Sequence, residues 1–297
     1  MAMTVQSAGG AVDFDPQSAF EAAEPNAFTS SDHNLTINFT SSPPHTNPIW
    51  EGLIQSGRND FVPANTLIDA MNNLDDPRRS IYFTQIDTTG DDNPDAYVGG
   101  LYGAGNNYSN YSHIKGPLLK NDFEGMLFEY SEVEFLRSEA LVRGWNVSGT
   151  GTAEDHYQNA IEADMQYWSN ASTEEEITQS EIDSYYQQLP TAGPAAYPAT
   201  GTTTEQLEAI ATQKWLAFYM QGQQAWIEWR RFDHPTLNVE NNSGAATEDD
   251  IPVRFIYPVD EQNLNEANWE AASSAIGGDE TSTLLFWDSG YASSGVN

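Results

Sequence analysis

The segment Thr202–Pro258 is the most informative part of the sequence, and it reads TTTEQLEAIATQKWLAFYMQGQQAWIEWRRFDHPTLNVENNSGAATEDDIPVRFIYP. Its first part is typical of a helix, because Thr203 or Thr204 can cap the start and Glu205 places acid in the first turn. Apolar residues recur there at three- and four-residue steps and form one stripe: Leu207, Ile210, Ala211, Trp215 and Phe218.

A second helix is predicted after a break at Gly222, with Trp226 on its apolar face. Arg230 and Arg231 lie at its end, where cations interact favourably with the helix dipole. Pro235 prevents any continuation. Two helices that are joined by so short a turn are expected to pack antiparallel.

Two stretches in and after this segment carry a family resemblance: QKWLAFYMQGQQAWIEWRRFDHPTL (213–237) and IPVRFIYPVDEQNLNEANWEAA (251–272). They resemble the closing part of the SusD/RagB-like outer-membrane nutrient-binding lipoproteins, of the starch-binding associated type. That family typically shows a QKW helix, a glycine, an aromatic-rich helix ending in two arginines, a Pro-x-Arg-x-x-Tyr-Pro motif and asparagine-rich sequence. The matching residues are Gln213, Lys214, Trp215, Gly222, Trp226, Arg230, Arg231, Pro235, Pro252, Arg254, Tyr257, Pro258 and Asn265.

Further helical patterns predict a mainly α fold. GMLFEYSEVEFLRSEALVRGW (125–145) and TAEDHYQNAIEADMQYW (152–168) predict another helix pair, with small residues at the crossing points as in TPR repeats. LTINFT (35–40) alternates apolar and polar residues and predicts one short strand. We therefore expect TPR-like helix pairs that carry long irregular loops facing a ligand.

The chain is expected to form one SusD-like domain with two regions. Residues 1–125 are rich in loops and contain one short helix, whereas residues 126–297 form the helical region and an irregular C-terminal tail. Asp76 and Arg78 belong to an Asp-Pro-Arg motif, and a similar motif precedes the ligand-facing loops in the family. They are either ligand contacts or a turn that holds a structural ion pair, and Asx–Pro turns are common.

The 297-residue chain is strongly acidic, with a formal net charge of -33 from 44 acidic and 11 basic side chains. Such a surface repels phosphate backbones and anionic lipid headgroups, so binding to nucleic acid and electrostatic docking to membranes are not expected. It suits a neutral or cationic ligand. The chain has no cysteine, which excludes disulfides and thiolate chemistry.

The start MAMTVQSAGG lacks the basic and apolar regions of a secretory signal, and no stretch approaches the roughly 18 apolar residues of a membrane span. Family members begin with a lipoprotein signal that ends in cysteine. The resemblance also covers only the C-terminal part of the family fold. We therefore expect that the sequence lacks the signal, the lipid anchor and the early helices, and that the missing part could complete the ligand site.

The sharpest local motif is DTTGDDNPD, residues 87–95. Oxygen ligands at alternate positions around a glycine suit calcium, which takes six to eight oxygens in flexible geometry. The ligands would be Asp87, Thr89, Asp91, Asn93 and Asp95. The motif departs from an EF-hand loop, because Thr89 replaces an acid and no glutamate stands at the twelfth position. The alternative is a cluster of turn-forming residues on an acidic surface.

Residues 85–117 form a long irregular segment in which tyrosines alternate with Gly, Asn, Ser and Asp. Loops of this length inside a compact domain are usually functional or disordered. A sugar ring stacks on aromatic side chains while polar side chains bind its hydroxyls. The candidate ligand-binding residues are Trp50, Arg58, Tyr97, Tyr102, Asn106, Asn107, Tyr108 and Tyr111. The alternative for each aromatic residue is packing in the core or anchoring of the loop.

Motifs for catalysis are weak. Carboxylate pairs suitable for a glycosidase arise by chance among 44 acidic residues. The five histidines are scattered, and the sequence has no nucleophile elbow, dinucleotide-binding motif or P-loop. The residues alone therefore give no positive indication of an enzyme.

The resemblance implies a function. SusD/RagB-like proteins are lipid-anchored on the outer face of the outer membrane, cap a SusC-like TonB-dependent transporter, and capture glycans or peptides without catalysis. We expect a non-enzymatic oligosaccharide-binding subunit whose helical half faces the transporter. No cofactor is required, apart from the calcium that the loop at 87–95 could hold. The alternatives are a peptide-binding member of the family, a carboxylate-dependent glycoside hydrolase, and a scaffold that binds proteins through its helices.

Overall fold

The structure, a computed structural model, describes residues 1–6, 8, 11–187, 192–238 and 251–288. The helices are α1 (Pro16–Ala23), α2 (Pro48–Trp50), α3 (Asn65–Asn73), α4 (Arg79–Tyr82), α5 (Tyr130–Val142), α6 (Ala153–Ala171), α7 (Gln179–Tyr186), α8 (Thr203–Ala217), α9 (Gly222–Phe232), α10 (Val259–Leu264) and α11 (Glu266–Ala275). The strands are β1 (Leu35–Ile37) and β2 (Gly125–Phe128). The end of the predicted C-terminal tail, 289–297, lies outside the described residues.

Helices α8 and α9 form the predicted pair. Thr202 caps α8, because its hydroxyl accepts from the Glu205 N–H while the Glu205 carboxylate accepts from the Thr202 N–H at 2.6 Å. The cap therefore precedes the predicted Thr203 by one residue, since this reciprocal arrangement needs an acidic residue three positions after the cap. The turn 218–221 makes the break, and Gly222 is the first residue of α9.

The remaining long helices pack as a layer around this pair. Helix α5 packs on α6, and α8 packs on both of them. Both α6 and α7 begin with the same kind of reciprocal cap, made by Thr152 with Asp155 and by Thr178 with Glu181. The predicted mainly α fold with TPR-like helix pairs is confirmed.

The start of the helix predicted from Gly125 is wrong. Residues Gly125–Phe128 form β2, and α5 begins at Tyr130. Strand β2 pairs antiparallel with β1, with Leu35 opposite Phe128. The short apolar run of β2 fits either a helix or a strand, and its hydrogen bonds to β1 favour the strand. The expected boundary between residues 1–125 and 126–297 therefore falls inside β2.

One hydrophobic core joins the loop-rich region to the helical region. It includes Ile68 and Tyr82 from the first region and Trp168, Ile210 and Tyr219 from the second. The rings of Tyr82 and Tyr219 stack with centroids 4.1 Å apart. Burying side chains of this size stabilises the fold by about 1.5–3 kcal/mol each. The base of the loop region is thereby fixed on the helices.

A buried ionic cluster ties α5 to α8 and α9. Arg231 donates to both carboxylate oxygens of Glu139, with 2.6 Å between Nη2 and Oε2. It also pairs with Glu228, whose carboxylate lies 3.1 Å from Lys214 Nζ. Burial would raise the pKa of Glu139, but the attraction of Arg231 and Arg143 outweighs it and lowers that pKa to about 2. The carboxylate therefore stays ionised in the folded protein.

The segment after residue 250 is held on α9 by Arg230. Its guanidinium lies 3.7 Å from the ring centroid of Trp226 and 4.8 Å from that of Trp287. The same side chain donates to the Val253 carbonyl at 2.6 Å. Among the helices of the described ranges, none has the length and apolar character needed to cross a bilayer.

Candidate functional site

The irregular segment 85–117 consists of two adjoining loops. A bridge between Ile86 and Ala96 closes the first, which we call the Asp-rich loop (86–96). The second, the tyrosine loop (98–112), is closed by bonds from Ser112 N–H to Val98 O at 2.8 Å and from Val98 N–H to Ser112 Oγ at 2.9 Å. An open groove of about 620 Å³ lies between them. The segment thus has a defined path despite its lack of regular structure.

The carboxylates of the Asp-rich loop accept hydrogen bonds from its own backbone. Asp87 accepts from three N–H groups: Gly90 (2.7 Å), Asp92 (2.7 Å) and Thr89 (2.9 Å). Asp91 accepts from the N–H of Asn93 at 3.0 Å, and Asp95 accepts from that of Thr88 at 2.9 Å. The bond from Gly90, supported by those from Asp92 and Thr89, lowers the pKa of Asp87.

These contacts fit the alternative of a turn cluster. In the ranges that the structure describes, no three or more His, Cys, Asp and Glu side chains are grouped so that they could hold a metal ion. The calcium site at Asp87, Thr89, Asp91, Asn93 and Asp95 stays a prediction, which a calorimetric titration with calcium would test.

Polar side chains of the tyrosine loop support its own backbone. The Asn106 amide bonds to the N–H of Leu101 at 2.9 Å and to its carbonyl at 3.0 Å. Asn107 caps the short helical turn that follows it. The ring of Tyr108 stacks on His113 with centroids 3.7 Å apart. These contacts favour a loop-anchoring role for Asn106, Asn107 and Tyr108.

The other candidate residues lie at separate places. Tyr102 is half exposed, and its backbone N–H is bonded to α3. Tyr111 and Trp50 are partly buried, the first at the end of the tyrosine loop and the second at the end of α2. Arg58 forms an exposed ion pair with Asp60. The structure does not gather these four side chains around Tyr97.

Tyr97 lines a cleft of about 400 Å³ between the Asp-Pro-Arg turn and α7, which we call the Tyr97 cleft. The cleft is polar apart from its tyrosines and prolines. Its lining residues are Asp75, Asp76, Pro77, Arg79, Ser80, Tyr97, Ser180, Glu181, Ser184, Tyr185 and Pro194.

Tyr97 is held in place by its backbone from α3 and by its ring from α4. Asn72 Nδ2 donates to the Tyr97 carbonyl at 3.0 Å, and the Arg79 guanidinium lies 5.5 Å from the ring centroid. Arg79 is itself fixed by bonds to the Asp76 carbonyl and the Asn72 side chain, each 2.9 Å long. Partial burial raises the pKa of the Tyr97 hydroxyl, so it stays protonated at neutral pH. The ring is therefore a preorganised wall of the cleft.

A buried polar network lies under this cleft. Arg78 has no exposed surface, and it pairs with Asp76 and, at 2.6 Å, with Asp164 of α6. Tyr185 donates to Asp76 at 3.1 Å, and Gln213 donates to the Tyr185 hydroxyl at 3.0 Å. The Asp-Pro-Arg motif is thus a turn with a structural ion pair, which is the second of the two interpretations that the sequence allows. The buried network joins the cleft to α6, α7 and α8.

Two aspartates share one guanidinium in this network. Burial raises the pKa of Asp164 to about 6, against the attraction of Arg78. The Asp164 carboxyl therefore holds its proton more tightly in the folded protein than in the unfolded chain. The stability due to this group is fully present below about pH 4 and is lost as the pH rises through 6.

Chemical denaturation between about pH 4 and pH 6 tests this linkage. The wild type is expected to lose on the order of 2–3 kcal/mol relative to the Asp164→Asn variant, whose amide oxygen still accepts from Arg78. Burial also raises the pKa of Glu132, to about 7, and it acts equally in both proteins. The pKa of Glu129 is raised by burial and by the charge of Asp164, so the difference between the two proteins reports Asp164 together with its effect on Glu129. If the free energy of unfolding depended on pH in the same way in both proteins, the raised pKa of Asp164 would be contradicted.

Sequence reasoning missed most of the cleft. It singled out Tyr97 but not Arg79, which follows the Asp-Pro-Arg motif directly. It also missed Ser180, Glu181 and Ser184, because α7 is about 80 residues away from Tyr97 in sequence. The family motif Asp-Pro-Arg was the one feature that pointed to this place. No local pattern in α7 indicates a binding surface.

The comparisons with known proteins identify the family. The model of SusD-like proteins, described as starch-binding associating with outer membrane, matches residues 2–258. The chain belongs to the SusD-like family. This confirms the resemblance found in the C-terminal motifs, and among curated proteins no match was found.

Solved structures of SusD-like proteins share the fold. A chitin-binding SusD homologue from Flavobacterium johnsoniae is 25% identical with a TM-score of 0.74, over 97% of this chain and 61% of its own. A SusD homologue from Bacteroides vulgatus is 26% identical with a TM-score of 0.75, over 97% of this chain and 60% of its own. A further structure, that of a chitin-binding protein, is 26% identical with a TM-score of 0.74, over 97% of this chain and 62% of its own. The chain thus spans about three fifths of the length of these SusD-like structures.

Proposed function

We propose that this SusD-like protein is a non-catalytic oligosaccharide-binding protein and that its ligand binds in the Tyr97 cleft. The observation that carries the proposal is the fixed aromatic ring at the wall of an open polar cleft. Two relatives at 25% and 26% identity are described as chitin-binding, which makes chitin oligosaccharides the first ligands to test.

The chemistry of the cleft suits a sugar. The apolar face of a pyranose can stack on Tyr97, while the hydroxyls of Ser180 and Ser184 and the carboxylate of Glu181 can bind its polar edge. A volume of about 400 Å³ lies within the usual range of small-ligand sites. Because Asn72 and Arg79 already hold Tyr97, little ordering entropy is lost when a ligand binds.

Delivery to a transporter is part of the same proposal. The family is described as associating with the outer membrane. We place this protein on the outward face of that membrane, held by a lipid anchor and capping a SusC-like TonB-dependent transporter. The helical layer α5–α9 would face the transporter, and the loops 85–117 would face the ligand.

Replacing Tyr97 with alanine tests the site. We expect glycan affinity to fall about tenfold or more, because the stacking surface is lost, whereas Tyr97→Phe keeps the ring and should bind nearly as the wild type does. Calorimetry with a panel of chitin and starch oligosaccharides, with and without calcium, measures both variants. Tyr102→Ala is the matched control, since it removes a half-exposed tyrosine from the neighbouring loop.

Each outcome has a definite meaning. A loss confined to Tyr102→Ala would move the site to the tyrosine loop and contradict the cleft. Binding to peptides alone would favour the peptide-binding alternative. Release of sugar products that a single Asp or Glu substitution abolishes would establish a glycoside hydrolase and contradict a binding-only role.

A further inference from the structure

The charges around the Tyr97 cleft are unbalanced. Its rim carries the carboxylates of Asp75 and Glu181, and its lining contains one guanidinium outside the buried pair, that of Arg79. The Asp75 side chain is 86% exposed, so it is available to a ligand. Glu181 is also exposed, and its Oε2 atom already accepts from Thr178 at the start of α7.

Arg79 is poorly placed to bind an anion. Its Nε donates to the Asp76 carbonyl and its Nη1 to Asn72, while its plane lies near the Tyr97 ring. Its side chain is only 19% exposed, and its remaining nitrogen lies 3.4 Å from Asp75. The guanidinium is therefore engaged in positioning the wall of the cleft.

Among the described residues around the cleft, the positively charged side chains are already paired with carboxylates. Below it, the single guanidinium of Arg78 lies between two aspartates. Beside it, Glu175 acts on Tyr97 electrostatically and is paired with Lys115 at 3.1 Å. The whole chain adds a field from a net charge of -33, which attracts cations and repels anions.

We infer that the Tyr97 cleft selects saccharides by charge. On the basis of the proposed glycan-binding function, its preferred ligands are oligosaccharides of glucosamine, whose free 2-amino groups are cationic. In this arrangement a sugar ring stacks on Tyr97 and an ammonium group lies near Asp75 and Glu181. Uncharged N-acetylated oligosaccharides bind less tightly, and oligosaccharides of uronic acids are repelled.

Calorimetry with three probes of equal length tests this selectivity: oligomers of glucosamine, of N-acetylglucosamine and of galacturonic acid. In slightly acidic buffer, in which the amine is protonated, the glucosamine oligomer is expected to bind about five- to tenfold more tightly than the N-acetylated one. Raising the ionic strength to about 0.5 M should remove most of this difference, because exposed charges are screened. The galacturonic acid oligomer should bind more weakly than either.

Two isosteric substitutions locate the effect. Asp75→Asn suits the left-handed backbone conformation at this position (φ 49°), and Glu181→Gln retains the ability to cap α7. Each is expected to weaken glucosamine-oligomer binding about two- to fivefold, as for an exposed ion pair, and to leave N-acetylated binding nearly unchanged. Asp233→Asn is the matched control, since Asp233 is exposed, has a φ of 54° and does not line the cleft.

The failure of this inference can be told apart from the failure of the proposed function. If the three oligomers bind equally, or if Asp233→Asn has the same effect as Asp75→Asn, charge selection by the cleft is overturned while glycan binding stands. If none of the oligomers and no neutral glycan binds, the proposed function itself fails. A preference for the uronic acid oligomer would overturn the inference outright.

Discussion

Replacing Arg78 with methionine is expected to lower the free energy of unfolding by about 3–5 kcal/mol, which is a large part of the stability of a typical domain. Arg78 lies fully buried between Asp76 and Asp164. Without its guanidinium, two buried carboxylates must either stay charged with no cation between them or take up protons. The loss should appear in urea denaturation at neutral pH, and it should shrink at acidic pH because the carboxylates are then protonated.

Arg58→Met is the matched control for this experiment. Arg58 also pairs with an aspartate two residues away, Asp60, but both side chains of that pair are more than half exposed. Exposed pairs contribute little, so we expect a change within about 1 kcal/mol. Equal effects of Arg78→Met and Arg58→Met would contradict the structural role that we assign to the Asp-Pro-Arg turn.

Replacing Arg231 with methionine should cost about as much, on the order of 3–5 kcal/mol. The guanidinium makes two bonds to Glu139 and two to Glu228, and all three residues are buried. The substitution leaves two carboxylates facing Lys214 and Arg143, which cannot reproduce the paired geometry. Because the cluster joins α5, α8 and α9, the expected result is cooperative loss of the helical layer on heating or in urea.

A double-mutant cycle separates the ion pair from a general packing defect. In Arg231→Met combined with Glu139→Gln, the carboxylate that loses its two bonds to Arg231 is also removed, and Glu228 retains Lys214. The double variant should therefore be more stable than the sum of the two single losses predicts, by about 1–3 kcal/mol. Additive losses would show that the pair contributes through side-chain volume alone.

The helical part of the fold could be predicted because its signals are local. Threonines with acids three residues later cap α6, α7 and α8, and two arginines end α9. The motifs of residues 213–237 identified the family. The helix predicted from Gly125 failed over residues 125–129, because four of them form strand β2, which depends on β1, about 90 residues earlier.

The candidate site was less predictable, because it is assembled from distant elements. Tyr97 was singled out as one aromatic residue among several, and nothing in the local sequence distinguished it from Tyr108, which stacks on His113. The difference lies in what surrounds each ring: Tyr97 faces α7 across an open cleft. Similarly, the aspartates of the loop 86–96 resemble calcium ligands in sequence, and only the structure reveals how many local N–H groups they accept from.

The central claim is that a saccharide ring stacks on Tyr97, and a crystal structure of this protein with a bound oligosaccharide tests it most directly. The oligosaccharide would be the one that binds most tightly in the calorimetric panel. The account predicts a sugar ring against Tyr97, with its polar edge towards Ser180, Glu181 and Ser184. A saccharide bound elsewhere on the chain, with the Tyr97 cleft filled only by water, would contradict it.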